Sequence, residues 1–169
     1  MIYRFRIILD ATEDVFRDIE IQEDATFEDF SNAITQAFGF DGMEMASFYV
    51  SDDEWNQGEE ISQFDMGEGP DTPSLMNETT LDSVFSEDQT RMIYVYDFLN
   101  MWTFLIELAE IADPINGILY PNLLFSHGIL PDSAPDKQFE ADEDPYGLND
   151  DDDLDINDYD SLNFDENWN

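Results

Sequence analysis

Apolar and polar residues alternate with period two over residues 2 to 9, with Tyr3, Phe5, Ile7 and Leu9 on one side and Arg4 and Arg6 on the other. That is the pattern of a half-buried β-strand. After the turn-forming residues Asp10 to Asp14, alternation resumes over 15 to 21, with Val15, Arg17, Ile19 and Ile21 opposed to Phe16, Asp18 and Glu20. Pairing the two segments as an antiparallel hairpin sets Arg4 and Arg6 among Asp18 and Glu20, where opposite charges across strands help to hold register. The three hairpin arginines are therefore expected to be neutralised internally. Thr26 then offers an N-cap, Glu28 and Asp29 place acid in a first helical turn, and Phe27, Phe30, Ile34, Ala37 and Phe38 recur at helical spacing up to Gly39, a left-handed stop. A hairpin followed by a helix is how β-grasp, ubiquitin-like domains begin, and laying the helix on the hairpin buries both apolar faces.

Residues 45 to 50, Met-Ala-Ser-Phe-Tyr-Val, predict a third strand. The stretch from Asp52 to Pro73 is long, acidic and interrupted by Gly and Pro, with Ile61 and Phe64 as anchors. Thr80 to Phe85 reads as one capped helical turn. Residues 92 to 98, Met-Ile-Tyr-Val-Tyr-Asp-Phe, form the strongest strand pattern in the chain, with Tyr94, Tyr96 and Phe98 on one face and Val95 and Asp97 on the other. Leu99-Asn100 suits a turn, after which Trp102, Phe104, Ile106 and Leu108 alternate on a returning strand; the helix formers in 101 to 111 leave a helix as the alternative. Pro114, Gly117, Pro121, Gly128, Pro131 and Pro135 punctuate an apolar segment expected to wrap the core without regular structure.

Charge changes the picture more than any pattern. The 169 residues carry 42 Asp and Glu against 5 Lys and Arg, a formal net charge of -37. Five cations cannot make the basic patch that counterion release from a nucleic-acid backbone needs, so direct nucleic-acid binding is excluded. With 42% apolar and 14% aromatic residues the chain is nevertheless globular in composition. From Glu140 the composition shifts: residues 140 to 169 hold 13 acids and no base. The expected organisation is an α+β domain over 1 to 139, with a mixed or antiparallel sheet, and a disordered acidic tail over 140 to 169. No cysteine is present, so there is neither a disulfide framework nor a thiolate site. The residues MIYRFRIILD are too short and too alternating to read as a signal peptide and no apolar run reaches membrane-spanning length, so neither is expected, and a cytoplasmic location is expected.

Candidate chemistry is sparse. His127, the single histidine, follows Ser126 directly, and adjacent side chains rarely face one another as nucleophile and base. Asp153 to Asp160 imitates the alternating oxygens of a calcium loop, but Asp158 stands where the loop needs Gly and Phe164 where it needs a bidentate Glu. No Gly-rich loop precedes a Lys, so no phosphate site is indicated. Trp55 and Trp102 are assigned to the core. No catalytic residue, metal site or cofactor is assigned. In the tail, Tyr159, Leu162, Phe164 and Trp168 lie among acids, a composition suited to docking on a basic, partly apolar partner.

The successive pieces Tyr3-Arg4-Phe5-Arg6-Ile7, Phe16-Arg17-Asp18-Ile19, Ala37-Phe38-Gly39-Phe40 and Tyr94-Val95-Tyr96-Asp97-Phe98 together resemble the plasmid Ri third-open-reading-frame-like family, some members of which are passenger proteins of an insertion element. The resemblance covers about residues 2 to 110 and implies a compact α+β domain of unestablished molecular function. In the family the last string usually continues Gly-Asp-Asp/Asn-Trp-x-His; here it runs Leu99-Asn100-Met101-Trp102-Thr103-Phe104, keeping the Trp and replacing the acid and the His. The expected function is a non-enzymatic protein-interaction module, associated with a mobile element through that resemblance, whose acidic surface and tail meet a basic protein partner. The alternative is a DNA mimic that occupies another protein's DNA-binding surface.

Overall fold

The computed structural model describes residues 1–64 and 74–135; the acidic segment from residue 140, with Tyr159, Leu162, Phe164, Trp168 and the calcium-loop imitation, lies outside them. Among the described residues the chain runs β1 (Ile2–Leu9), β2 (Phe16–Gln22), α1 (Phe27–Phe38), β3 (Ala46–Ser51), β4 (Gln57–Ser62), β5 (Ser74–Leu75), β6 (Arg91–Tyr96), β7 (Trp102–Ala112) and β8 (Asn122–His127). The eight strands form one sheet in the order β5-β4-β3-β6-β7-β1-β2-β8. Neighbours are antiparallel except β4 and β5, which are parallel, so the sheet is mixed and the fold α+β. Among the described residues no helix is long and apolar enough to cross a membrane.

The hairpin forms in the register that its charges select, Arg4 opposite Glu20 and Arg6 opposite Asp18. Helix α1 begins in a reciprocal capping box, Thr26 Oγ1 accepting from the Asp29 amide at 3.1 Å and the Asp29 carboxylate accepting from the Thr26 amide at 3.2 Å. It ends at Gly39, whose φ of 88° is the left-handed conformation that a side chain would disfavour. Its inner face presents Phe27, Phe30, Ile34 and Phe38 to the sheet. The core between them is largely aromatic: Phe5 to Phe30 4.6 Å, Phe30 to Phe48 5.5 Å, Phe48 to Tyr94 4.7 Å and Phe38 to Phe104 4.7 Å between ring centroids. Tilted and edge-on pairs at these distances add to their burial.

Four expectations are corrected. Residues 57–62 of the acidic stretch form β4, paired to β3, and of the two expected anchors Ile61 is buried while Phe64 is half-exposed. A strand that binds the free edge of a neighbour needs backbone hydrogen bonds more than apolar periodicity, which is why its polar sequence concealed it. Strand β6 ends at Tyr96; Asp97 has a φ of 65° and turns the chain, so Phe98 leaves the face of Tyr94 and Tyr96 and stands in solvent. The segment expected to be irregular contains β8, an apolar run bounded by Pro121 and Gly128 that pairs with β2. The expected capped helical turn is a 3₁₀ turn, Leu81–Ser83, and Thr80 bonds the Asp82 side chain rather than capping the backbone. Between the alternatives for 101 to 111 the strand is observed, as β7.

Tyr94 is fully buried, and burial above all pushes its phenol pKa up; its Oη shares a 2.7 Å hydrogen bond with Ser31 Oγ on α1. Removing one partner strands the other, whereas removing both strands neither. Ser31→Ala and Tyr94→Phe are each expected to lower unfolding free energy by about 1–2 kcal/mol, and the double variant by clearly less than the sum, as read from urea midpoints.

Candidate functional site

Every arginine among the described residues is engaged within the fold. Arg4 Nε donates to Glu20 Oε2 at 2.8 Å and its Nη1 to Glu110. Arg6 makes a two-pronged pair with Asp18, at 2.8 and 2.9 Å, and lies over the Phe16 ring. Arg91 pairs with Glu107 at 3.5 Å, donates to the Asp53 carbonyl and covers the Trp55 ring. Trp55 is thus a half-buried platform for a cation rather than a core residue. Arg17 departs from the expected neutralisation of an acid. It is buried, stacks on Phe38 and donates to the carbonyls of Phe16, Ala37 and His127. The Ala37 carbonyl belongs to the last turn of α1, which has no basic residue of its own, so Arg17 supplies the positive charge that a helix C-terminus favours. The surrounding surface is left to carboxylates, including a run at Asp52, Asp53 and Glu54. Asp52 is ordered there: its carboxylate accepts from the Asn56 side chain and amide and from the Glu54 amide, hydrogen bonds that hold it below the usual carboxylate range.

A cavity of about 600 Å3 lies between α1, β2 and the segment leading into β8. Ile19, Ile21, Ala33 and Leu123 give it apolar walls, and Asp29 and Asn122 are among its polar groups. His127 lies on β8, stacked on Phe16 with centroids 5.2 Å apart. Ser126 and His127 are successive strand residues and point to opposite faces, which separates hydroxyl from imidazole. Among the described residues no group of three or more His, Asp or Glu side chains is arranged to hold a metal ion.

The residues of the Tyr94 to Trp102 string form a hairpin closure. Tyr96 Oη donates to Asp41 Oδ1 at 3.1 Å, and burial raises its pKa. The Asp97 amide donates to the Met45 carbonyl at 2.8 Å, and its carboxylate accepts from the Leu99 amide and the Asn100 side chain, at 3.2 and 2.6 Å. Trp102 returns into the core, edge-on to Phe40 at 5.2 Å. A family model described as plasmid pRiA4b ORF-3-like protein matches residues 1–134. The chain belongs to that family. The match runs past residue 110, through β8, so the edge strand is part of the family domain. The crystal structure of a protein of unknown function from Methanosarcina mazei Go1 is similar in fold, with a TM-score of 0.62 and 21% identity over 74% of this chain and 68% of that one. No curated protein matches the sequence.

Phe104 is fully buried against Phe38, so its position is filled by packing. Met101 has a φ of 58°. Asp and Asn tolerate that left-handed conformation better than an unbranched apolar residue does. Met101→Asn is therefore expected to raise unfolding free energy by about 0.5–1 kcal/mol in urea titration.

Glu20 is almost fully buried. Burial alone would raise its carboxyl pKa, but hydrogen bonds from Asn122 and Arg4, with the Arg4 charge, outweigh it and hold the group below its ordinary value of 4.5. A depressed folded-state pKa means that its contribution to stability is complete above the ordinary value and is lost as pH falls through the lowered one. Glu20→Gln is expected to lower stability by about 1–3 kcal/mol at pH 7. The gap between wild-type and variant thermal midpoints should stay constant well above pH 4.5 and narrow as the pH falls below it.

Proposed function

We propose that the domain is a non-enzymatic protein-interaction module whose acidic surface docks on a basic protein partner, in the setting of a mobile element. The observation that carries this reading is the commitment of every described arginine to partners within the fold, so that among the described residues no arginine is left over for the remaining surface carboxylates. A field of one sign speeds encounter with a partner of the other and repels nucleic acid. The acidic segment from residue 140, with Tyr159, Leu162, Phe164 and Trp168, is proposed as a further contact for that partner. The hairpin crossed by α1 supports reading the first half as β-grasp-like. A DNA mimic is the second reading, favoured by carboxylates held on an ordered turn at Asp52, Asp53 and Glu54.

Immobilised intact chain is expected to retain basic proteins from a lysate, with retention falling as NaCl rises from ~0.1 to ~0.5 M. It should give no retarded band with duplex DNA near ~0.15 M salt. A retarded band, or retention indifferent to salt, would refute the electrostatic basis of the reading. Displacement of the captured partner by duplex DNA selects the mimic.

A further inference from the structure

The two ends of the sheet differ. One ends at β5, two residues long, and a very short edge strand is one device by which proteins avoid unwanted pairing. The other ends at β8, six residues, Asn122–His127, whose outer edge no described strand covers. Edge strands are usually blunted by charge or proline. In a chain with 42 acids, β8 carries no Asp, Glu, Lys, Arg or Pro. Instead it exposes Leu123, Leu124 and Phe125, each about half, continued by Leu119 and Ile129, both 89% exposed. A bulge at Leu124 sends these side chains to both faces of the sheet. Leu123 pairs with Ile19 and lines the cavity on the α1 side, whereas Phe125 pairs with Asp18 and meets Phe16 on the other side, centroids 5.9 Å apart.

Among the described residues no cation around this edge is left without an acid or carbonyl partner. Asp29 lines the cavity beside Leu123. At the far end Gly128, with a φ of 82°, lies so close to the Asp14 carbonyl that a Cβ would come within 2.4 Å, which brings the exposed Glu13-Asp14 turn up to the strand. The nearby cations are already engaged: Arg17, buried, donates to the His127 carbonyl, and Arg6, half-exposed over Phe16, is held by both oxygens of Asp18. A second copy of a chain with net charge -37 is a poor occupant. We propose that the outer edge of β8 is the docking strand of this module, where an extended, apolar and basic segment of the partner adds to the sheet as a ninth strand. Main-chain hydrogen bonds would give affinity, and apolar contacts with Leu123 and Phe125 on the two faces, within an acidic rim, would give selectivity. This rests on the reading of a basic partner above and names its site.

The test uses the intact chain and two synthetic probes: a peptide of about ten residues alternating lysine and valine, and an oligolysine with the same number of lysines. Amide hydrogen exchange at 123–127 and affinity by calorimetry are read for each. The lysine–valine peptide is expected to slow exchange across β8 by ~10-fold or more, with oligolysine weaker and without effect there. Leu124→Pro, which puts a residue without an amide into the edge strand, and Phe125→Ser, which leaves the backbone intact, should each weaken the lysine–valine peptide by ~10-fold or more. Equal affinity for both probes with no protection at β8 overturns the docking strand and leaves the acidic module standing; no binding of either probe at low salt overturns both. Protection already present in the free chain at the β8 amides that do not bond β2 also overturns the proposal. If independent of concentration, it shows the edge covered by the chain's own remaining residues; if rising with concentration, by a second copy.

Discussion

Arg4 and Arg6 stand on β1 between acids contributed by both neighbouring strands. Arg4 lies opposite Glu20 of β2 and Glu110 of β7, and Arg6 opposite Asp18 of β2 and Glu107 of β7. In a chain this acidic, four carboxylates gathered on one sheet face would repel without those guanidinium groups. A shift of one residue in either pairing would carry both arginines to the helix side of the sheet and into the aromatic core. Three strands therefore share one register condition, and Arg91 on β6 extends the row by meeting Glu107 from the far side. The sheet on which everything else is placed depends on these few cations.

Helix α1 uses the other face of the same strands. Its phenylalanines interleave with Phe5, Phe48 and Phe104, and its two ends are satisfied by different means: a capping box within the helix at the start, and Gly39 with the borrowed charge of Arg17 at the end. The family string from Tyr94 to Trp102 belongs to this framework. Its tyrosines and tryptophan pack, and its aspartate closes the β6–β7 turn. The side chains of this string are therefore engaged in packing and turn closure, and the functional reading turns from the motif to the surface.

That surface follows from how the cations are used. Once each arginine of the described domain is engaged, the arginines leave no spare positive charge at the surface, and the β8 edge beside the cavity is a place where backbone and apolar side chains remain open. A polyanionic body repels its own copies, which makes an uncharged edge strand tolerable in a way it would not be on a neutral domain.

What the sequence determined by itself was everything governed by local periodicity and local caps. The alternation in β1, β2, β3 and β6, the capped and glycine-terminated helix, the opposite charges of the hairpin and the returning strand from Trp102 were all legible, because in each the side chains that face the core mark themselves by spacing. The tertiary structure decided the edges and ends. Strand β4, Gln-Gly-Glu-Glu-Ile-Ser, and strand β8 exist because a neighbouring strand offers unpaired amides and carbonyls, a condition set by residues far away in sequence. The same distance hid the role of Arg17, whose position in an alternating pattern says which face it takes but not that a helix terminus will be waiting there. It also hid the end of β6 at Tyr96, since Asp97 adopts its left-handed turn only where Met45 and Asn100 come together to hold it.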